Sequence, residues 1–309
     1  MDRPFVHLHV HSEYSLLDGA NRCGDLAKAT KEMGMNAVAL TDHGVMYGCY
    51  EFYTKCKSAG VKPILGCEVY VEPNGYSCRD SKNQFHLILL AENDEGYHNL
   101  VRLVSVANTD GFYYKPRIDH ELLAKYSKGI IGASACLGGE IPNMIMKGDI
   151  EGAASRAELY RDILGNGNFF LELQHNSIPE QAIVNKNLVD ISRSHNFQLI
   201  ATNDSHYMKR SDASWHDILL CVQTGNTLDN PNRYRFTGDD YYFRTPEEMW
   251  NIFGTELPES LTNTQMIADR CDVELKMGHY YLPEFPLPEG ETLETHLRRM
   301  ADDGLKRRL

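Results

Sequence analysis

The feature that most constrains this chain is an alternation of short apolar strands with helical segments between residues 5 and 202. The predicted strands are Phe5–Val10, Ala37–Leu40, Val61–Val71, Phe85–Leu90, Gly129–Ala133, Phe169–Leu173 and Leu199–Thr202. Apolar residues at helical spacing predict helices over Leu26–Met33, Gly48–Lys57, Glu95–Asn108, Ile150–Leu164 and Pro179–His195. Such alternation is typical of an α/β fold, and the number of strands favours a barrel-like sheet.

After residue 202 the strand pattern stops. Helices are predicted over Asp212–Val222, Thr245–Phe253 and Glu259–Cys271, with Thr245 as the N-cap of the second. The stretch Pro283–Pro288 is typical of a linker, and a polar helix follows it. We therefore expect a domain over residues 1–275, with a mainly helical extension from about residue 207, and a linker with the start of a further segment over residues 276–309. Since no stop signal ends the last helix, the chain is expected to be part of a longer protein.

Charge and composition exclude several classes of protein. The chain has 31 Lys+Arg against 43 Asp+Glu, a net charge of −12, which excludes nucleic-acid binding through bulk positive charge. A nuclease is not excluded, because bound cations can reverse the local sign. No run of about 18 apolar residues predicts a membrane span, and the N-terminus lacks the apolar stretch of a signal peptide. The eight cysteines form no CxxC pair, so we expect reduced thiols and a cytoplasmic location.

Polar residues with metal-ligand chemistry follow several of the predicted strands. In His9-Val10-His11 the two imidazoles share one face of a strand, and His7 lies on the same face, so spacing alone permits any pair of the three. Thr41-Asp42-His43 and Asn203-Asp204-Ser205-His206 each come directly after a buried strand. The ends of barrel strands are where functional sites are built.

Four further residues extend this set: Asp18, Glu68, His86 and Cys136. Glu68 and His86 lie in apolar strands, where a buried carboxylate is costly unless it is paired or bound to a cation. Each residue alone also fits a structural role, as an ion-paired glutamate, a hydrogen-bonded core histidine or a small apolar cysteine. Their position at the ends of successive strands favours a shared metal site.

Taken together, these motifs resemble a known family. The chain carries His9-Val10-His11-Ser12, Thr41-Asp42-His43-Gly44, Gly66-Cys67-Glu68, Phe85-His86-Leu87, Ser134-Ala135-Cys136 and Thr202-Asn203-Asp204-Ser205-His206. This set resembles the polymerase and histidinol phosphatase (PHP) domain family. Flanking segments such as Lys62–Gly66, Lys115–Asp119 and Thr227–Pro231 are similar to the form found in bacterial DNA polymerase III alpha subunits. The resemblance covers essentially the whole chain.

The resemblance implies a distorted seven-stranded (β/α) barrel that holds two or three divalent metal ions. Its ligand positions correspond here to His9, His11, Asp18, His43, Glu68, His86, Cys136, Asp204 and His206. By this resemblance one ion is held by His9, His11, Glu68 and Asp204, a second by Glu68, His86 and Cys136, and a third by Asp18, His43 and His206. Mixed nitrogen, oxygen and sulfur ligands suit zinc or manganese, with iron as an alternative.

The implied activity is metal-dependent 3′→5′ exonucleolytic proofreading, with Asp18, His43, Asp204 and His206 as catalytic residues. Candidate contacts to DNA phosphates are Lys115, Arg117 and Arg210, for which surface solvation or salt bridges are the alternative interpretation. Tyr113-Tyr114 fits either base stacking or core packing. The expected partners are a DNA 3′ end, the rest of a polymerase III alpha chain and other replisome subunits, with no membrane.

Two other functions fit the same residues. One is a structural metal-binding domain that stabilises the polymerase and contacts replisome subunits without turnover. The other is a stand-alone phosphatase of the histidinol phosphate type. The sequence contains no recognisable polymerase palm, so we expect no nucleotide polymerisation by this chain.

Overall fold

The computed structural model describes residues 3–16, 18–278, 280 and 282–309. The chain divides into two compact units, Met1–Glu274 and Leu275–Leu309, and each is described by itself.

The first unit alternates strands and helices along most of its length. Its strands are β1 Ala37–Leu40, β2 Lys62–Val71, β3 Phe85–Ala91, β4 Arg117–Ile118, β5 Ile130–Ala133, β6 Phe169–Leu173 and β7 Gln198–Ala201. Its helices are α1 Cys23–Glu32, α2 Cys49–Ala59, α3 Asp94–Thr109, α4 His120–Lys125, α5 Glu140–Met146, α6 Ile150–Leu164, α7 Pro179–His195, α8 Ala213–Thr224, α9 Pro246–Phe253 and α10 Pro258–Arg270. The α/β class predicted from the alternation is confirmed.

The strands form one mixed, seven-stranded sheet in the order β1-β2-β3-β5-β6-β7, with β4 beside β2. Strand β3 runs antiparallel to both β2 and β5, whereas the other pairs are parallel. Because β3 is reversed, its amino end lies at the same edge of the sheet as the carboxyl ends of its neighbours. This reversal distorts the regular barrel pattern and brings His86, near the start of β3, to that edge.

An extended N-terminal segment joins the two ends of the curled sheet. The Ala39 N–H of β1 donates to the His7 carbonyl at 2.8 Å, and the Thr41 N–H donates to the Val10 carbonyl at 2.9 Å. On the other side, the His11 N–H donates to the carbonyl of Ser205, beyond β7, at 2.9 Å. The predicted strand Phe5–Val10 is therefore an extended closing segment, with an isolated bridge at Val10 in place of a continuous ladder.

Side-chain alternation along this segment separates the core from the site. Val6 and Leu8 enter a buried apolar cluster with Ile64, Ile88 and Ile200, and residues of α10 pack against the same cluster. The histidines occupy the opposite face, as period-two geometry requires. Of the three histidines that the spacing allowed as metal ligands, His7 does not face the site. Its Nε2 lies 2.8 Å from the Arg244 carbonyl, and its ring stacks on Phe243.

The helices after β7 follow local capping chemistry. Thr245 caps α9 as predicted, with its hydroxyl accepting the Glu248 N–H at 3.2 Å and Glu248 returning contacts to Thr245. The short elements β4, α4 and α5 are not anticipated by the sequence pattern, since each is too brief to show a hydrophobic period. Asp119 starts α4 by accepting the Leu122 N–H at 2.7 Å.

The second unit consists of a proline-rich extended stretch and helix α11, Leu293–Arg308. Thr292 caps this helix, and Glu291 pairs with His296 and Arg299. Within the described ranges, the helices include none with the length and apolar character needed to cross a membrane.

Candidate metal centre

One end of the curled sheet gathers the polar residues predicted to bind metal. His9 and His11 come from the closing segment, Glu68 from β2 and His86 from β3. The rest follow strands or loops at the same end: Asp18, His43, Cys136, Asp204 and His206. The fold thus brings together side chains that are up to 197 positions apart, between His9 and His206.

The deepest cluster contains His9, His11 and Asp204, whose ligand atoms lie within 4.8 Å of one another. The Nε2 atoms of the two histidines are 3.1 Å apart. Asp204 Oδ1 lies 3.2 Å from His9 Nε2 and 3.1 Å from His11 Nε2. Glu68 Oε2 approaches the same two nitrogens at 3.4 and 3.2 Å.

These contacts are those expected around a cation. Without metal, burial lowers the pKa of His9, but Asp204, Glu172 and Glu68 outweigh it and raise that pKa well above its usual value. His9 Nδ1 lies 2.7 Å from Glu172 Oε1 and donates to it, so a metal that displaces the second proton of the ring would meet the lone pair of Nε2. That lone pair faces the carboxylate oxygens of Asp204 and Glu68. Asp204 Oδ1 is buried and has no hydrogen-bond partner, although imidazole nitrogens surround it. Convergent lone pairs repel unless a proton or a metal cation lies among them, and this donor set fits a divalent metal.

A second cluster comprises Glu68, His86 and Cys136. His86 Nδ1 lies 2.6 Å from Glu68 Oε1 and 3.4 Å from the Cys136 sulfur. Glu68 therefore points one oxygen at this cluster and the other at the first. A carboxylate shared in this way can bridge two cations.

The third cluster is His11, His43 and His206. His43 stacks on His11 with ring centroids 4.1 Å apart, and its Nδ1 lies 2.9 Å from Glu68 Oε2. Asp18 Oδ2 reaches His43 Nε2 at 3.3 Å. The resemblance implies Asp18, His43 and His206 as the third set, whereas the geometry groups His11 with the two histidines and attaches Asp18 through His43.

Burial and opposite charges shift the pKa values of this centre. Burial alone would raise the pKa of Glu68, but His86, His43 and His9 together hold it well below its ordinary range. Burial lowers the pKa of His43, but Asp18 and Glu68 outweigh it and raise that pKa to about 10. The pKa of His206 falls to about 3, through burial and the neighbouring His11. Burial, reinforced by Glu68, raises the pKa of the Cys136 thiol well above its usual value.

A supporting layer orients the histidines. Glu172, in β6, accepts from His9 Nδ1 and also from the hydroxyl of Thr202 at 2.5 Å. Asp42 accepts from the Ser15 hydroxyl at 2.8 Å, and Ser15 lies 3.3 Å from His11 Nδ1. Such partners fix the tautomer and ring position of a metal-binding histidine. Sequence reasoning missed Glu172, although a carboxylate within Phe-Phe-Leu-Glu-Leu gives the same signal as Glu68.

An open cavity of about 450 Å³ lies over the centre. It is lined by the ligand candidates Asp18, His43, His86, Cys136, Asp204 and His206. Lys115 and Arg235 also line it and bring positive charge to the wall. Arg235 was missed by the sequence reasoning, although Arg233-Tyr234-Arg235-Phe236 alternates basic and aromatic residues.

The three predicted substrate-binding residues have different positions. Lys115 lines the cavity. Arg117 does not, because it is fully buried, 3.2 Å from Glu72 and bonded to backbone carbonyls, so its prediction as a phosphate contact is corrected to a structural role. Arg210 is exposed, but it lies outside the cavity lining and pairs with Asp239 and Asp240 at 3.0 and 2.7 Å.

Sequence comparison identifies the family of this chain. The PHP domain model matches residues 7–176, and the chain belongs to the PHP domain family. The chain is 43% identical over 308 residues to DNA polymerase III subunit alpha of Borreliella burgdorferi, covering 98% of this chain and 27% of that protein. It is 44% identical over 320 residues to the same subunit of Thermus aquaticus, covering 98% of this chain and 26% of that protein. The chain thus spans about a quarter of the length of these curated relatives.

Solved structures give more distant similarities. A protein from Bifidobacterium adolescentis, assigned as a metal-dependent phosphoesterase, has a TM-score of 0.44 at 14% identity, over 80% of this chain and 96% of that chain. An amidohydrolase from Chromobacterium violaceum has a TM-score of 0.44 at 15% identity, over 65% of this chain and 87% of that chain.

Proposed function

We propose that this chain hydrolyses phosphodiester bonds at DNA 3′ ends as a metal-dependent 3′→5′ exonuclease. The observation that carries the proposal is the set of three donor clusters, connected to one another through Glu68 and His11, below an open cavity. Zinc or manganese, in two or three positions, fits the mixture of imidazole, carboxylate and thiol donors, and iron is the alternative.

The ligand roles divide by depth in the site. His9, His11 and Glu68 are buried below the cavity and would hold metal from beneath. Asp18, His43, Asp204 and His206 line the cavity, so we propose that these residues also face the scissile phosphate. Divalent ions bound here would lower the pKa of a water molecule, which makes it a better nucleophile at neutral pH. They would also neutralise the charge that develops on the phosphate.

The chain's own cations complete the site. Lys115 and Arg235 line the cavity and are suited to hold a phosphate group of the strand in place. They supply local positive charge in a protein of net charge −12, so DNA would bind at this cavity rather than over a basic surface. Arg210 is paired with two aspartates and is not assigned a contact with DNA.

Neighbouring groups determine where His43 and His206 carry their protons. His43 lies between Asp18 Oδ2 at 3.3 Å and Glu68 Oε2 at 2.9 Å, an arrangement that keeps a proton on its ring until a metal replaces it. His206 Nδ1 donates to the Asp204 carbonyl at 2.9 Å, which leaves the lone pair of its Nε2 free to act as a ligand.

A structural function is the second candidate, because the donors come from segments far apart in the chain. A metal that ties the closing segment to β2, β3 and the loops after β1, β5 and β7 would stabilise the sheet whether or not turnover occurs. This candidate predicts that loss of a ligand lowers stability with no nuclease activity to lose.

The wider setting is also proposed from the relatives. They are DNA polymerase III alpha subunits about four times as long as this chain, so we propose that it works in the cytoplasm as part of such a chain. Residues 1–275 would form the PHP domain with its helical extension, and residues 276–309 would lead into the polymerase segment. The proposed partners are the DNA 3′ end, the remaining alpha chain and other replisome subunits.

The test is degradation of a 3′-mismatched primer by protein loaded with Mn²⁺ or Zn²⁺, with the wild type beside Asp204→Asn. Metal content is measured on both proteins by elemental analysis, and Arg210→Ala serves as a folded surface control. We expect loss of 3′ nucleotides with the wild type and the control, and a loss of rate of at least about 100-fold in Asp204→Asn. DNA degradation that survives Asp204→Asn would refute the proposed site. Metal binding without degradation by any protein would favour the structural function.

A further inference from the structure

A second cavity of about 310 Å³ lies beside the metal centre and is lined by exposed aromatic rings. Tyr47 is 64% exposed, Phe112 55% and Tyr114 62%. Scattered apolar residues are ordinary on protein surfaces, but three large rings around one depression form a coherent surface. We call this cavity, defined by Tyr47, Phe112 and Tyr114, the aromatic groove.

The aromatic groove continues into the cavity over the metal centre. Asp18, His43, Tyr70 and Lys115 line both cavities. Two of these residues are ligand candidates, and Lys115 supplies a cation at the junction. A strand whose end lies over the metal centre can therefore enter the groove without leaving the surface of the protein.

The fold holds one of these rings in an outward position. Tyr114 has φ of 63°, in the left-handed region, at the tip of a turn closed by the Tyr113 N–H donating to the Lys115 carbonyl at 3.0 Å. Tyr113 packs inward, with the Arg117 guanidinium 5.1 Å from its ring centroid. Tyr114 points outward, and its ring lies 4.7 Å from the Lys82 ammonium. The predicted Tyr113-Tyr114 pair thus separates into an anchoring ring and an exposed ring.

We infer that the aromatic groove binds the unpaired bases of single-stranded DNA whose 3′ end lies at the metal centre. This inference rests on the proposed nuclease function and assigns its substrate class. Exposed rings suit unpaired bases because every base offers a flat π-face to an aromatic side chain, irrespective of sequence. Bases in a duplex already stack on their neighbours, so the groove selects a frayed or mismatched end. Lys115 and Lys82 add positive charge for the backbone of the strand.

The test measures binding separately from cleavage. Fluorescein-labelled oligo(dT) and an abasic oligonucleotide of equal length are titrated by anisotropy against the full chain in the Asp204→Asn background, which prevents turnover. The variants are Tyr47→Ala and Phe112→Ala. Tyr50→Ala is the matched control, because Tyr50 is 63% exposed but does not line the groove. Thermal melting of each variant verifies that it is folded.

We expect each groove variant to weaken oligo(dT) binding by roughly 5- to 100-fold, the range for the loss of one base–aromatic stack. Abasic DNA should bind the wild-type groove weakly and be insensitive to the same changes. The inference would be overturned if Tyr47→Ala and Phe112→Ala bound oligo(dT) as tightly as the Tyr50→Ala control and the protein with an unchanged groove. So would equal binding of oligo(dT) and abasic DNA.

Cleavage by the same variants with Asp204 intact separates failure of this inference from failure of the proposed function. Oligo(dT) binding that depends on the groove, without cleavage by the metal-loaded wild type, would uphold the groove and refute the nuclease. Cleavage with unchanged kcat and KM in Tyr47→Ala and Phe112→Ala would uphold the nuclease and refute the groove.

Discussion

Two buried polar clusters in this molecule differ in how their carboxylates are satisfied. Glu140, at the start of α5, accepts from the Tyr160 hydroxyl at 2.7 Å, and His120 and Arg156 lie at 3.0 and 3.1 Å. Asp204, in the metal centre, faces imidazole nitrogens at similar distances, yet its buried Oδ1 has no hydrogen bond. The first cluster is a complete hydrogen-bonded network that joins α4, α5 and α6.

The second cluster is arranged around a position where a cation is needed. Residue type alone does not separate the two clusters, since both contain histidine and glutamate. What separates them is the direction of the lone pairs, which is set by the groups on the far side of each ring. Glu172 fixes His9 with its proton away from the centre, whereas Arg156 supplies the Glu140 cluster with a positive charge of its own.

The largest expected contrast is in metal-linked stability. Removing metal with a chelator should lower the free energy of unfolding of the wild type by about 4 kcal/mol, if the free metal had been near a thousand times its Kd. Glu68→Gln should largely abolish this response, because Glu68 contacts His86 in one cluster and His9 and His11 in another. Differential scanning calorimetry with and without chelator measures the effect.

Glu140→Ala is the matched control for that contrast. It breaks a buried ion pair with Arg156 and should cost about 3 kcal/mol, but the response to the chelator should be unchanged. A Glu68→Gln protein that still melts at a metal-dependent temperature, or a Glu140→Ala protein that does not, would contradict the assignment of the two clusters.

The second-largest expected effect is a loss of metal affinity when Glu172 is replaced. Glu172→Ala removes the acceptor of the His9 Nδ1 proton, so the ring loses its fixed tautomer, and metal affinity should fall by roughly 10- to 100-fold. Glu172→Gln keeps an acceptor oxygen at the same position and should recover most of the affinity. Isothermal titration with Zn²⁺ or Mn²⁺ checks both variants, and equal affinity in Glu172→Ala and the wild type would remove Glu172 from the site.

The sequence predicts the long elements of this fold and the location of the site, because both follow from local patterns. The bounds of β1, β6, α6 and α7 agree to the residue, since apolar runs and turn residues delimit them. Strand β4 has two residues, which are too few to show the alternation of apolar and polar side chains that predicts a strand. The site is predictable because its residues stand at strand ends, where chain order and sheet geometry together bring them to one edge.

The burial of individual basic residues and the grouping of the ligands depend on contacts between distant segments, which no local sequence pattern shows. Lys115 and Arg117 are two positions apart and both basic, but Lys115 lines the cavity and Arg117 is buried against Glu72. Which of the two is buried is decided by the β2–β4 pairing, which brings Tyr70 beside Arg117 from 47 positions away. The grouping of His11 with His43 and His206 likewise arises from ring stacking between distant segments.

The smallest expected effect is a pH dependence that differs between the metal-free and metal-bound protein. In the metal-free protein the pKa of His43 is raised to about 10, since Asp18 and Glu68 outweigh the effect of burial. The stability that this proton contributes is fully present below pH 6.5 and is lost as the pH rises through about 10. Metal must displace the same proton, so its affinity should rise by up to about tenfold per pH unit between neutral pH and pH 10. Titration calorimetry in buffers of different ionisation enthalpy would count the released protons. His43→Ala should release fewer protons than the wild type, and equal proton release by the two proteins would place the displaced proton on another ligand.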